Sequence, residues 1–369
     1  MATASSRPYL LFFPYLHSLG SYDLGPWQMG PLRDYQGPWL SAEFERMSKD
    51  FLSAFRDARG KPLDNIYLLS HRVRGVDGRL PTRPQRVAIQ RAIDFAVLDK
   101  TPSADDPNAG LWSATSDNSE LFIWPIDVEH GYVTLSRGSM VREYAGGHKV
   151  GEELIIPAPL ELQMPWNLAL DSELLAAMYH LFTRRLSGDE DRTRRRIETA
   201  ISWLAKAWRN SPSIGMDERV VFLKTGFEAL AGTSDTKKCV ACLRKLYEEQ
   251  LGGIDAKYLD NLIWSSNERR RFTRTYTKNG QSLSEVVTDF EHWFWTFCDA
   301  RNCIIHDGVT PKLTYRARAS RYNGSLVNTG ERLLRESVKV AMIRLGYPHL
   351  WRGQVWQAVH KMLQRSAGS

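Results

Sequence analysis

From Leu174 onward, apolar residues return every three or four positions in one segment after another. This periodicity constrains the fold more than any other feature of the chain. It lines apolar side chains along one stripe of a helix, and such a stripe must be buried against another element. Leu174–Leu186, Arg192–Trp208, Asp217–Ala231 and Thr236–Leu251 each read as a helix. Asp171 and Ser172 supply an N-cap for the first, and Gly232 and Gly252 stop the third and fourth. Leu283 to Ile305 reads as a longer helix, and Glu331–Leu345 and His349–Leu363 as a final pair. Successive amphipathic helices with short connections predict an all-α bundle over residues 161–369.

The chain before Pro157 has a different texture. Phe12-Phe13-Pro14-Tyr15, Gly25-Pro26-Trp27 and Gly37-Pro38-Trp39 read as turns and short extended pieces with buried rings. Helical spacing appears at Phe44–Phe55 and Pro84–Leu98. Strands are expected at Asn65–Ser70, Glu120–Pro125 and His130–Ser136, with an extended piece at Ile155–Pro159. Residues 1–160 therefore form a mixed α and β domain, and Pro157–Pro165 marks the boundary. The domain has no glycine-rich phosphate loop, no histidines at metal-ligand spacing and no nucleophile signature. His17, His71, His130 and His148 are scattered along it and read as surface or core residues.

Composition narrows the class. Of 369 residues, 43% are hydrophobic and 25% charged, as in ordinary globular chains. No run of about 18 apolar residues suggests a membrane span, and Tyr9–Leu16 is too short and broken by Pro14 to be a convincing signal peptide. Four cysteines do not make a disulfide framework, so a reducing cytoplasm fits. Cys239 and Cys242, without a second pair or nearby histidines, read as core packing more than as a zinc site, and no cofactor or metal is expected. Residues 1–160 hold 17 basic and 19 acidic side chains, and the rest of the chain holds 32 and 23. The basic excess lies in the helical half, where a polyanionic partner would need it.

That half contains an unusual arrangement. Arg301 falls near the middle of the apolar stripe of Leu283–Ile305. A guanidinium there is costly unless something anionic pairs with it, either a structural carboxylate or a ligand. Asn302 and His306 are four residues apart and share a helix face. Arg301 and His306 are five apart, about 140° around an ideal helix. They converge only if the helix ends near His306 or if a second subunit supplies one of them. Gly308 and Pro311 are suitable stop signals.

Ala300-Arg301-Asn302-Cys303-Ile304-Ile305-His306-Asp307-Gly308 resembles the Arg-polar-x-x-x-His motif of the HEPN superfamily, in particular its Apea-like branch. Upstream, Asp217-Glu218-Arg219 leading to Phe227-Glu228-Ala229-Leu230 is similar to the family's helix with a Glu-Ala-Leu. The resemblance covers residues 165–365. It implies a metal-independent endoribonuclease whose two protomers face each other across the motif helices. His306 would serve as general base or acid, a task suited to imidazole near neutral pH. Arg301 would hold the scissile phosphate, and Asn302 would bond it or orient the imidazole. The implied product is a 2′,3′-cyclic phosphate.

Glu228 is a further candidate as the carboxylate that orients Arg301, or equally as a structural salt-bridge partner. Arg269, Arg270, Arg271, Arg274 and Lys278 mix with Phe272 and Tyr276 and suit RNA contact with base stacking. Arg192, Arg194, Arg195 and Arg196 form a second basic run. Each run could instead be a solvated face. The expected partners are RNA, a second copy of the chain, and a regulatory protein or phage-derived trigger at the first domain, with a role in defence implied by the resemblance alone. A non-catalytic HEPN module that binds RNA, nucleotide or protein is the competing expectation.

Overall fold

The computed structural model describes residues 8–16, 18–57, 60–63, 65–100, 116–129, 132–135, 146–149, 156–157, 168–209, 214–251, 272–278, 281–311 and 326–347. The chain divides into two compact units, with the change at Arg184 and Arg185.

The first unit is built on an antiparallel sheet. Its strands are β1 (Tyr9–Phe13), β2 (Tyr22–Leu24), β3 (Trp27–Pro31), β5 (Tyr67–His71), β6 (Phe122–Asp127), β7 (Tyr132–Leu135) and β8 (Gly146–Lys149), in the order β2-β3-β5-β1-β6-β7-β8. β4 (Phe55–Arg56) pairs separately with β9 (Ile156–Pro157). Cross-strand partners share a sheet face. Phe12 is opposite both Leu68 and Phe122, so one row of apolar side chains crosses three strands.

Helix α1 (Ala42–Leu52) lays Phe44, Met47 and Phe51 into the core with Phe12, Leu68, Phe122 and Trp124. The Phe12 ring meets those of Phe55 and Trp124 edge-on, at 5.5 and 5.4 Å. The Ser41 hydroxyl accepts from the Phe44 amide at 3.1 Å and fixes where α1 starts.

Helix α2 (Arg83–Lys100) is tied to the start of β6. The Gln90 amide nitrogen donates to the Ser119 carbonyl at 2.8 Å, and its oxygen accepts from the Leu121 amide at 3.0 Å. Buried Asp94 accepts from the Ser119 hydroxyl at 2.6 Å. Helix α3 (Ser172–Thr183) packs on α2 and β2. Its N-cap is Asp171, as expected, whose carboxylate accepts from the Leu174 amide at 3.0 Å. The first unit therefore extends through Arg184, beyond the boundary at residue 160 that proline content suggested.

The second unit is mostly helical. Its helices are α4 (Gly188–Ala207), α5 (Met216–Ala231), α6 (Thr236–Leu251), α7 (Asp289–Asn302) and α8 (Leu326–Arg344). α4, α5 and α8 pack on one another, and α6 and α7 pack on α5. Gly226 permits the approach of α5 to α8, since a Cβ there would lie 2.6 Å from Leu334 Cδ2. α5 ends at Gly232, whose φ of 73° is left-handed. α8 is buried along most of its length, including Glu331 and Arg335.

The unit is not all-α. Strands β10 (Phe272–Lys278) and β11 (Gln281–Val287) form an antiparallel hairpin, with Arg274 opposite Glu285. Leu283, Val286 and Val287 therefore lie on a strand and not on the motif helix. The β-branched run Val286-Val287-Thr288 favours extended backbone. Thr288 and Glu291 then form a capping box that starts α7. The expected helix at residues 349–363 lies outside the described residues.

Candidate functional site

α7 is anchored by its aromatic face. Phe290, Trp293, Phe294 and Phe297 are buried, and the Trp293 and Phe297 rings stack at 5.0 Å. Phe227 of α5 packs edge-on against Phe294 at 5.4 Å. At the start of α7, Glu291 accepts from Arg244 of α6 at 2.7 Å. The helix is thus held along its length, and its far end carries the motif.

Beyond Asn302 the helix widens. Cys303–Asp307 is a π-helical turn, and the Gly308 amide donates to the Cys303 carbonyl, five residues back. Gly308 has φ 63°, and the Val309 amide also donates to Cys303, at 3.2 Å. A turn closed five residues apart holds more residues than an α turn. It therefore narrows the angle between Arg301 and His306 below that of an ideal α-helix. The divergence expected on a regular wheel is therefore reduced by this turn. Single turns of this kind recur at functional sites.

Arg301 is half-buried, and Asn302 and His306 are exposed. The guanidinium donates to the Asn302 side-chain carbonyl at 3.2 Å, which orients it. Among the described residues no carboxylate pairs with Arg301, so the expectation of a buried, ion-paired arginine is not met. Its charge remains available to an anion. The segment after the turn is tied down where the Thr310 hydroxyl donates to the Asp217 carboxylate at the start of α5.

Glu228 lies elsewhere. Its carboxylate accepts from Lys224 at 2.7 Å within α5, and Lys224 is 4% exposed. Lys224 Nζ also lies 5.9 Å from the Phe294 ring centre. Glu228 therefore neutralises a buried ammonium packed against α7, which is the structural one of its two expected roles.

The basic runs fare differently. Arg269, Arg270 and Arg271 lie outside the described residues, and Lys278 is the last residue of β10. The Arg274 guanidinium stacks on Trp295 at 3.3 Å and lies 3.8 Å from Glu285. It joins the hairpin to α7 and is partly neutralised there. In the other run, Arg192 pairs with Asp189 at 3.3 Å, and Arg194 and Arg195 pair with Asp191 at 2.7 and 2.8 Å. That run is an ion-paired helix face.

Cys239 is buried and its thiol is pushed up to about 12 by burial, while Cys242 is exposed. Burial likewise pushes the Cys298 thiol to about 11. Both buried thiols are packing residues that resist ionisation. Among the described residues no group of three His, Cys, Asp or Glu could hold a metal ion, and no helix is long and apolar enough to cross a membrane.

Three features escaped the sequence reading. The π turn leaves no signature in residue spacing. The hairpin did leave one, the Asn279-Gly280 pair between alternating segments. Buried Glu331 was hidden within an amphipathic pattern. Comparison with known proteins returns no matching family model, no matching curated protein and no matching solved structure.

Proposed function

We propose that the second unit is a HEPN-type endoribonuclease that cleaves RNA without a metal ion, by attack of the 2′-hydroxyl on the adjacent phosphate. The supporting observation is the end of α7. There Arg301 bonds Asn302, a π turn lessens the angle to exposed His306, and no ion pair to Arg301 is found among the described residues.

In this reading His306 removes the proton from the 2′-hydroxyl or delivers one to the leaving 5′-oxygen. One imidazole cannot do both at the same moment, so a second copy supplies the partner group across a twofold axis. Arg301 binds the nonbridging phosphate oxygens, where charge builds in the transition state. Asn302 holds the guanidinium in place. Exposed Ile305 and Val309 flank His306 and would be covered by the second copy. Bond making and breaking both occur at phosphorus, leaving a 2′,3′-cyclic phosphate and a 5′-hydroxyl.

The test is cleavage of single-stranded and hairpin RNA by the full chain and by Arg301→Ala. A loss of about a hundredfold or more in the variant, with its helical signal intact, is expected for a phosphate-clamping residue. Equal cleavage by the two proteins would refute the assignment.

A further inference from the structure

The hairpin that precedes α7 leaves a strand edge open beside a helix. Its strands pair in unbroken register, from Lys278 opposite Gln281 to Phe272 opposite Val287. Alternate pairs of an antiparallel ladder exchange backbone hydrogen bonds, and the pair that closes a two-residue turn is one of them. Ser282, Ser284 and Val286 therefore turn their amides and carbonyls away from β10. No other described strand joins this sheet. β11 carries one charged residue, Glu285, and has no lysine, proline or bulge, the devices that protect an edge from pairing.

A groove of about 370 Å³ lies between the end of β11 and α6. Glu285, Val286 and Val287 line it in succession. Successive residues of a strand point to opposite faces, so it is the edge of β11 that borders the groove. The charges inside are already matched. Arg244 donates to Glu291 at 2.7 Å. Glu285 lies 3.8 Å from Arg274, whose guanidinium stacks on Trp295. Between them Val240, Ala241 and Trp295 give an apolar middle. At the two ends of the α6 wall stand Lys237 and Glu248, both exposed and in no ion pair among the described residues. They are eleven residues apart on α6. That is about 16 Å at 1.5 Å per residue, the reach of about five residues of extended chain.

We propose that this groove takes an extended segment of a partner protein as a third strand on β11. Backbone bonds to Ser284 and Val286 hold the segment, and one of its apolar side chains enters between Val240 and Trp295. It carries an acidic residue over Lys237 and a basic residue over Glu248.

Selection of random nonapeptides displayed on phage against the full chain, then fluorescence anisotropy of the enriched peptide, tests this. An apolar centre between one acidic and one basic end is expected, with a Kd of about 1–100 μM. Methylating the peptide amides that face β11 should weaken binding about tenfold or more, while methylating the alternate amides should not. Ala241→Arg fills the groove from an exposed helix position and should abolish binding. Lys237→Glu should weaken it about tenfold, and a basic residue at the peptide's acidic end should restore it. Three results would each overturn the proposal: no enriched peptide of this pattern, binding that survives amide methylation or Ala241→Arg, or self-association that Ala241→Arg abolishes, which would make a second copy the occupant. RNA cleavage is not the readout, so this result and the fate of the motif are separable.

Discussion

Replacing Glu331 with glutamine is expected to stabilise the helical unit at alkaline pH and to leave it nearly unchanged in mild acid. Glu331 is 1% exposed on α8, where burial strips its carboxylate of water. Arg335 on the same helix is 3.8 Å away, and Arg219 of α5 and the Trp208 indole face it from the other side. Burial outweighs these attractions and raises the carboxyl from 4.5 to about 7. The folded state then binds more protons than the unfolded state between those two values, so stability falls as pH rises through that window. It is fully present below about pH 4.5 and levels off above about pH 7. A shift of this size corresponds to about 3 kcal/mol at 1.36 kcal/mol per pH unit.

Glutamine removes the titration but also the charge that Arg219 and Arg335 face, so a gain of about 1–3 kcal/mol at pH near 8.5 is expected. Urea unfolding followed by helical signal at about pH 5 and about pH 8.5 measures it. With ordinary slopes the wild-type midpoint should drop by about 1 M between the two while the variant moves less. Parallel loss in both proteins, or a variant less stable at both pH values, would refute the reasoning.

Other substitutions test other parts of the account. Glu228→Ala should cost about 2–3 kcal/mol in urea unfolding, because it strands the buried Lys224 ammonium. Phe297→Ala should cost about 3–5 kcal/mol by the same measurement, through loss of a fully buried ring stacked on Trp293. Gly232→Ala should lower stability by about 1–2 kcal/mol, since φ is 73° and a Cβ there would press on the Arg196 guanidinium. Ile305→Asp and Val309→Asp together should shift the chain from dimer to monomer in sedimentation, with unfolding midpoints unchanged. A monomeric wild type would count against the twofold site.

Much of the helical framework could be read from apolar spacing and caps. The expected Thr236–Leu251 coincides with α6, and the predicted Asp171 cap and Gly232 stop both occur. These are local signals, set by side chains within one turn of the feature they produce. The segment at Leu283–Val287 was misread because alternate and helical spacing overlap in a short apolar run, and the β-branched residues decided it. The boundary was misplaced because α3 packs on α2 and β2, a non-local contact invisible to composition. At the candidate site, the residue types and their order could be read in sequence. The π turn that lessens the angle between Arg301 and His306 could not, since it depends on where the helix is held at Gly308 and Thr310.

The most direct measurement is RNA cleavage in EDTA by the full chain and by His306→Ala, with analysis of product ends. The account predicts cleavage by the wild type that leaves 2′,3′-cyclic phosphate and 5′-hydroxyl ends, and none by the variant. Cleavage by both proteins, or products ending in 5′-phosphate, would contradict it.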